Sequence, residues 1–244
     1  MQTGSTIFPG ERRSYVPLYP SHPFPPELRV AISVLPSGFE TLALGCVLSF
    51  DTLQVLITAT DRTRQNIHAL RREQAARRRI RRKYNDFWEA CPCFGVLDDN
   101  CNVLEKLICL TLVVYCCLAF DDLRSIQNVL RGSRAELSKK IASFKPALEP
   151  SVLPEVSRAA TDCHIWMWVI AVDSWRVANT FASRQGPPLL PEGAALFAKL
   201  MQRYPHVKSL DLLDAIVGQF LWTVELRKSV KIFWERMVRE YEGR

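Results

Sequence analysis

The chain has 244 residues, 48% of them hydrophobic and 23% charged, a composition typical of a folded protein that buries a substantial core. Its net charge is +7, and one segment accounts for the excess, because residues 71–83 hold eight Arg or Lys and a single acid, Glu73. Its eight cysteines are too irregularly spaced for a small disulfide-stabilised module, and residues 1–26 lack the apolar run of a secretory signal, so we expect a reducing compartment.

The first 26 residues are expected to form an extended arm, because they contain six prolines and two glycines. Three aromatic side chains, those of Tyr15, Tyr19 and Phe24, can pin parts of this arm to the surface of a domain. Residues 27–244 are expected to form one helical domain, with proline-containing connectors near residues 145–154 and 185–190.

Helical periodicity begins near Glu27. One apolar pattern follows the turn at residues 36–38, and a second starts at Asp51 or Thr52. Residues 61–88 then form a long polar pattern that predicts a separate helix, and this helix would carry the cationic segment.

The run from Val103 to Phe120 is apolar nearly all round, which is typical of a helix at the centre of a core. Its most apolar part, 14 residues from Leu107, is shorter than the ~20 residues of a membrane-spanning helix, so we expect no membrane span. Gly132 and Ser133 are expected to break the helical pattern before a helix over residues 133–144.

Residues 157–184 form a further strongly apolar helical pattern, which contains three tryptophans. Pro191 suits a first helical position, and Ser209 can cap a helix in which Leu213, Val217, Phe220 and Val224 share a face. A last amphipathic pattern covers residues 226–241. No stretch alternates with a period of two, so the sequence predicts an all-α fold, an irregular bundle of about eight to ten helices.

The cationic segment is the candidate functional feature. Four interpretations of it are open: a solvated surface helix, a nuclear-import signal, a non-specific contact with nucleic-acid phosphates, or a contact with an anionic membrane surface. The candidate residues for import or phosphate contact are Arg71, Arg72, Arg77, Arg78, Arg79, Arg81, Arg82 and Lys83.

Metal and catalytic patterns are weak. Cys91 and Cys93 are separated by one residue, unlike the C-x₂₋₄-C pairs of structural zinc sites, and Cys101 and Cys109 do not complete such a set. Lone His164 is more typical of a satisfied core residue than of a base. We therefore expect no metal, no cofactor and no enzymatic activity.

One enzymatic alternative stays open. Asp121 and Asp122 could hold Mg²⁺ in an all-α enzyme that acts on a diphosphate substrate. Against it, Arg124 and Ser125 follow where a third acid is wanted. A second alternative is a basic adaptor that binds RNA or an anionic membrane surface.

The order of apolar segments resembles the helical regulatory region of fungal-specific transcription factors of the zinc binuclear-cluster type, over about residues 30–240. The residues that carry the resemblance are Gly38-Phe39 before an apolar helix, Trp166 and Trp168 in one helix, and Phe220-Leu221-Trp222 followed by Phe233-Trp234-Glu235. In that family a cluster of six cysteines reads DNA, whereas residues 1–60 of this chain contain a single cysteine, Cys46. The resemblance thus implies the regulatory half without the usual DNA reader.

These observations together predict a non-enzymatic, transcription-regulator-like interaction module, located in the nucleus or alternatively in the cytoplasm. Its expected partners are proteins of the transcription machinery or an import receptor, and any contact with nucleic acid is expected to be non-specific.

Overall fold

The computed structural model describes residues 19–70, 102–120, 127–146, 153–180 and 191–243. These residues form nine α-helices and a short 3₁₀ turn, with no strand among them, which confirms the predicted all-α fold. The helices are α1 (Pro26–Ser33), α2 (Ser37–Leu44), α3 (Phe50–Leu70), α4 (Val103–Phe120), α5 (Gln127–Ser143), α6 (Pro154–Thr180), α7 (Pro191–Arg203), α8 (Leu210–Val217) and α9 (Val224–Glu242), and the 3₁₀ turn covers Pro205–Lys208.

Helix α6 is the centre of the bundle, in contact with α2, α4, α5, α7 and α8. Every residue from Cys163 to Ser174 is buried, so this helix has no solvent face over three turns. Its bulkiest side chains, Trp166 and Trp168, are at most 1% exposed. The second buried helix, α4, packs on α6 and matches the bounds predicted from its all-round apolar pattern.

The N-termini of α3 and α4 meet at the carboxylate of Glu105, which is fully buried. Asn102 caps α4, since its Oδ1 accepts the Glu105 backbone N–H at 2.9 Å while its own N–H donates to the Glu105 carboxylate at 3.3 Å. The backbone N–H of Ser49, which precedes α3, donates to the other oxygen of the carboxylate. The buried charge is therefore held by helix-terminal N–H groups, the donors that favour an anion.

The described part of the N-terminal arm, residues 19–25, is attached to this network. The Tyr19 hydroxyl donates to Glu105 over 2.8 Å, and burial together with this acceptor raises the pKa of Tyr19 to about 12. Phe24 is 4% exposed and belongs to the core. Two of the three aromatic residues expected to pin the arm therefore do so, and the third, Tyr15, lies outside the described residues.

At Gly38, helix α2 packs tightly against the turn that follows α8. The Gly38 N–H donates to the carbonyl oxygen of Gln219 over 2.8 Å. A Cβ at this position would lie 2.5 Å from two ring atoms of Phe220. Phe39 and Trp166 contact the same ring, with centroid distances of 5.0 and 5.9 Å. A glycine at this position therefore lets an aromatic cluster form between three distant parts of the chain.

Three predicted boundaries are wrong. The patterns starting at residues 51 and 61 form one helix, α3, and α5 passes through Gly132 and Ser133 without a break. The tertiary burial of Leu137 and Ile141 outweighs the roughly 1 kcal/mol that an interior glycine costs.

The third wrong boundary concerns α8, which ends at Val217. Phe220 and Val224 are therefore not on its face, and Val224 is 54% exposed. The predicted starts at Pro191 and Ser209 are confirmed, since Pro191 is the first residue of α7 and the Ser209 hydroxyl accepts the N–H of Leu212.

The same substitution is expected to have opposite effects at two glycines in helices, Gly38 and Gly132. Gly38→Ala forces a Cβ into the Phe220 ring, and we expect it to lower the free energy of unfolding by about 1–3 kcal/mol. A Cβ at Gly132 meets no atom of the described residues within 4 Å, and we expect Gly132→Ala to raise that free energy by about 0.5–1 kcal/mol. Urea unfolding of both variants measures the difference, and a Gly38→Ala chain as stable as the parent would contradict the close packing.

Candidate functional site

A groove of about 270 Å³ lies between α8 and α9. This volume is close to the lower limit for small-ligand sites, and it is large enough for one or two aliphatic side chains. Three buried aliphatic side chains, those of Leu213, Val217 and Val230, form its floor. The remaining lining residues are Leu210, Asp211, Asp214, Trp222, Val224, Arg227, Lys228 and Lys231.

Two side-chain caps position the helices that form the groove. Ser209 caps α8, and the Thr223 hydroxyl caps α9 by accepting the Leu226 N–H over 3.2 Å. Between the helices, the chain turns at residues 218–222, and Trp222 comes to lie beside α8. There the indole N–H of Trp222 donates to Asp214 Oδ1 over 3.3 Å. The turn therefore joins the two walls of the groove, and its aromatic residue is hydrogen-bonded to the α8 wall.

The charges of the groove are unevenly distributed. Arg227 on α9 forms an ion pair with Asp214 on α8, so these two charges offset each other. Within the described residues, Lys228 and Lys231 have no acidic partner within 4.0 Å. Asp211 is exposed on the α8 side. The α9 wall is thus basic, and the α8 wall keeps one unneutralised acid.

A second polar cluster is buried around His164 on α6. The indole N–H of Trp168 donates to His164 Nε2 over 3.1 Å, and Nδ1 lies 2.8 Å from the Tyr204 hydroxyl. Nε2 also lies 3.3 Å from the carbonyl oxygen of Ile141, so both ring nitrogens have uncharged hydrogen-bonding partners. Burial, helped by nearby Arg203, lowers the pKa of His164 to about 4. The ring is therefore a neutral, hydrogen-bonded core group.

A third polar cluster lies where α5 packs on α6. The guanidinium of Arg134 is stacked 4.1 Å from the Trp175 ring and donates to the carbonyl oxygen of Ser174 over 3.2 Å. One turn along, Arg176 pairs with buried Asp173 at 2.6 Å. Burial raises the pKa of Asp173, and Arg176 opposes that rise. The contacts of Arg134 join α5 to α6, whereas the pair of Arg176 and Asp173 lies within α6, so the cluster has a structural role.

None of the residues predicted to be functional is among the described residues that line the groove between α8 and α9. All eight cationic candidates, from Arg71 to Lys83, fall outside the described residues, and so do Asp121, Asp122, Cys91, Cys93 and Cys101. His164 is described, and it is the satisfied core residue expected from the sequence. The remaining described cysteine of the zinc candidate, Cys109, is buried in α4.

The groove residues were not predicted from the sequence. A helical-wheel signal was present, because Arg227, Lys228 and Lys231 lie on one side of the α9 core stripe. Trp222, however, is brought to α8 by a turn whose path local sequence does not specify.

The described residues offer neither a metal site nor a membrane span. No group of three or more His, Cys, Asp or Glu side chains there could hold a metal ion. None of the described helices has an apolar stretch long enough for a bilayer crossing. Comparison with protein-family models, curated proteins and solved structures finds no match to this chain, so the resemblance to fungal-specific transcription factors stays a prediction.

His164 predicts a specific pH dependence of stability. The folded ring binds a proton only near pH 4, whereas the unfolded ring binds one near pH 6.5, so acidification through this range favours unfolding. Between pH 7 and pH 5, we expect this residue to remove about 2 kcal/mol from the free energy of unfolding.

Urea unfolding at both pH values, on the parent chain and on His164→Gln, isolates the contribution. Glutamine keeps an acceptor for Trp168 but does not titrate. The raised pKa values of Asp162 and Asp173 act in the opposite direction in both proteins, so they cancel in the comparison. Equal pH dependence in the two proteins would contradict a neutral, buried His164.

Proposed function

We propose that this chain is a non-enzymatic helical interaction module, and that the groove between α8 and α9 binds an acidic amphipathic segment of a protein partner. The observation that carries the proposal is the combination of a buried aliphatic floor with a basic wall. A segment that places one or two apolar side chains on Leu213, Val217 and Val230 would bring its flanking acids to Lys228 and Lys231.

Charge decides which chemistry fits the groove. Asp214 is neutralised by Arg227, so the charges free to meet a partner are two lysines on α9 and Asp211 on α8. A basic segment would face both lysines, whereas an acidic one faces a single repelling carboxylate. That carboxylate also sets the orientation, because the acids of the segment must lie toward α9.

The binding test uses a fluorescein-labelled acidic peptide in which a central Leu-Phe pair is flanked by Asp and Glu. We expect Lys228→Glu/Lys231→Glu to weaken binding at least about ten-fold, since each lost contact is replaced by repulsion. The matched control is Lys145→Glu/Lys199→Glu, which changes the net charge equally at exposed sites outside the groove. Fluorescence polarisation measures both affinities.

Three results would contradict the groove proposal. The first is no binding of the peptide by the parent chain, and the second is an equal loss of affinity in the control. The third is binding of single-stranded RNA or anionic vesicles through Lys228 and Lys231 without binding of the peptide, because the ligand would then be a phosphate.

We further propose a nuclear, transcription-regulatory role. Its support is the density of charge in Arg77 to Lys83 and the order of apolar segments that resembles the fungal regulatory region. In this proposal, an import receptor engages the cationic segment and the groove engages a protein of the transcription machinery.

The import role is tested with a tandem fluorescent-protein fusion, which is too large for rapid passive entry. We expect the parent fusion to accumulate in nuclei, and a variant with alanine at six basic positions to lose that accumulation. The positions are Arg77, Arg78, Arg79, Arg81, Arg82 and Lys83. Lys139→Ala/Lys140→Ala/Lys145→Ala on and after α5 is the control and should enter normally. Unchanged accumulation in the six-fold variant would remove the import role.

A further inference from the structure

The outer face of α9 carries an isolated hydrophobic residue. Ile232 is 77% exposed, more than any other exposed large hydrophobic side chain of the described residues. The core side of the same helix is fully used by Leu226, Val230, Phe233, Trp234 and Met237. Ile232 therefore lies outside the core formed by the described helices, and an exposed aliphatic residue on a charged face is a candidate contact point.

Four charged residues share this face with Ile232. With Ile232 in the middle, Glu225, Lys228, Glu235 and Arg239 follow at steps of three, four, three and four residues, and all four are exposed. None of the four forms an ion pair within 4.0 Å in the part of the chain that the structure describes. We call these four residues and Ile232 the outer stripe.

The order of charges along the outer stripe is self-complementary. Reading from the N-terminus, the stripe is acid, base, Ile232, acid, base. At 1.5 Å per residue, Glu225 and Arg239 lie about 10 Å on either side of Ile232, Lys228 lies about 6 Å to one side, and Glu235 lies about 4.5 Å to the other. A twofold axis through Ile232 therefore places each acid opposite a base.

We propose that the outer stripe binds the outer stripe of a second copy of this chain, as an antiparallel helix pair. The two Ile232 side chains meet on the axis. Lys228 then faces Glu235 of the second copy, Glu225 faces Arg239, and each contact occurs twice because the interface is isologous. This inference does not depend on the groove proposal, although Lys228 lies at the border of both surfaces.

The association is weak. Five residues per copy are far fewer than the roughly 20–30 residues per side of a stable complex. Exposed ion pairs add little each and are screened by salt. The dimer is therefore a low-affinity, salt-sensitive one that forms at high local concentration.

Sedimentation equilibrium of the full chain at concentrations up to about 500 µM detects a dimer of this strength. We expect the parent chain to dimerise at low salt, and high salt to weaken the dimer. Ile232→Asp should weaken it at least about ten-fold without unfolding the chain, because this side chain is already in water. A parent chain that stays monomeric over the whole range would overturn the proposal.

Charge exchange tests the register. Glu225→Lys/Glu235→Lys gives an all-basic stripe, and Lys228→Glu/Arg239→Glu gives an all-acidic one. Each variant alone should be monomeric, because every cross-axis pair becomes repulsive. An equimolar mixture should form a heterodimer at least about ten-fold tighter than either homodimer, since all four pairs are restored.

The matched control replaces the all-basic variant with Glu155→Lys/Glu192→Lys, which has the same net charge but alters exposed residues at the starts of α6 and α7. Its mixture with the all-acidic variant should not associate as tightly. Equal association in the two mixtures, or dimerisation of each variant alone, would overturn the proposed interface. Both outcomes are read from the association of the chain with itself, so they do not decide peptide binding, although Lys228 also lines the groove.

Discussion

The buried carboxylate of Glu105 is the interaction on which the N-terminal half of the structure depends. It accepts hydrogen bonds from the backbone at the starts of two helices, α3 and α4, and from the Tyr19 hydroxyl of the arm. A buried charge is costly unless such donors surround it, so the two helix ends and the arm must converge on one point. With α3 and α4 held at this point, α4 is directed into the core along α6.

Buried polar groups elsewhere in the core are also hydrogen-bonded. Each tryptophan of the described residues donates its indole N–H to a defined acceptor. Trp166 donates to the carbonyl oxygen of Leu221, and Trp234 to that of Val207. The other donors are Trp168 to His164, Trp175 to Ser138 and Trp222 to Asp214. Large apolar side chains thus supply burial, and their one polar atom fixes which segment lies beside them.

Local signals predicted much of this fold, and long-range signals were missed. The bounds of α4 and the cap at Ser209 follow from composition and side-chain chemistry within one helix. The break predicted at Gly132 is absent from α5, because contacts of this helix with distant parts of the chain keep it helical. The groove was not predicted because Trp222 meets Asp214 only through the turn between α8 and α9. Ile232 could have been found from the wheel of α9, where it lies opposite the apolar stripe.

The long reach of the polar contacts has a consequence for the order in which the chain assembles during synthesis. The acceptor of the Trp166 indole lies 55 residues further along the chain, and the partner of the Tyr19 hydroxyl lies 86 residues beyond it. Contacts of such separation close late, since each must overcome the entropy of a long loop. The central helix therefore leaves the ribosome well before its neighbour at Leu221 exists, and the nascent chain holds an incomplete core until its last quarter emerges.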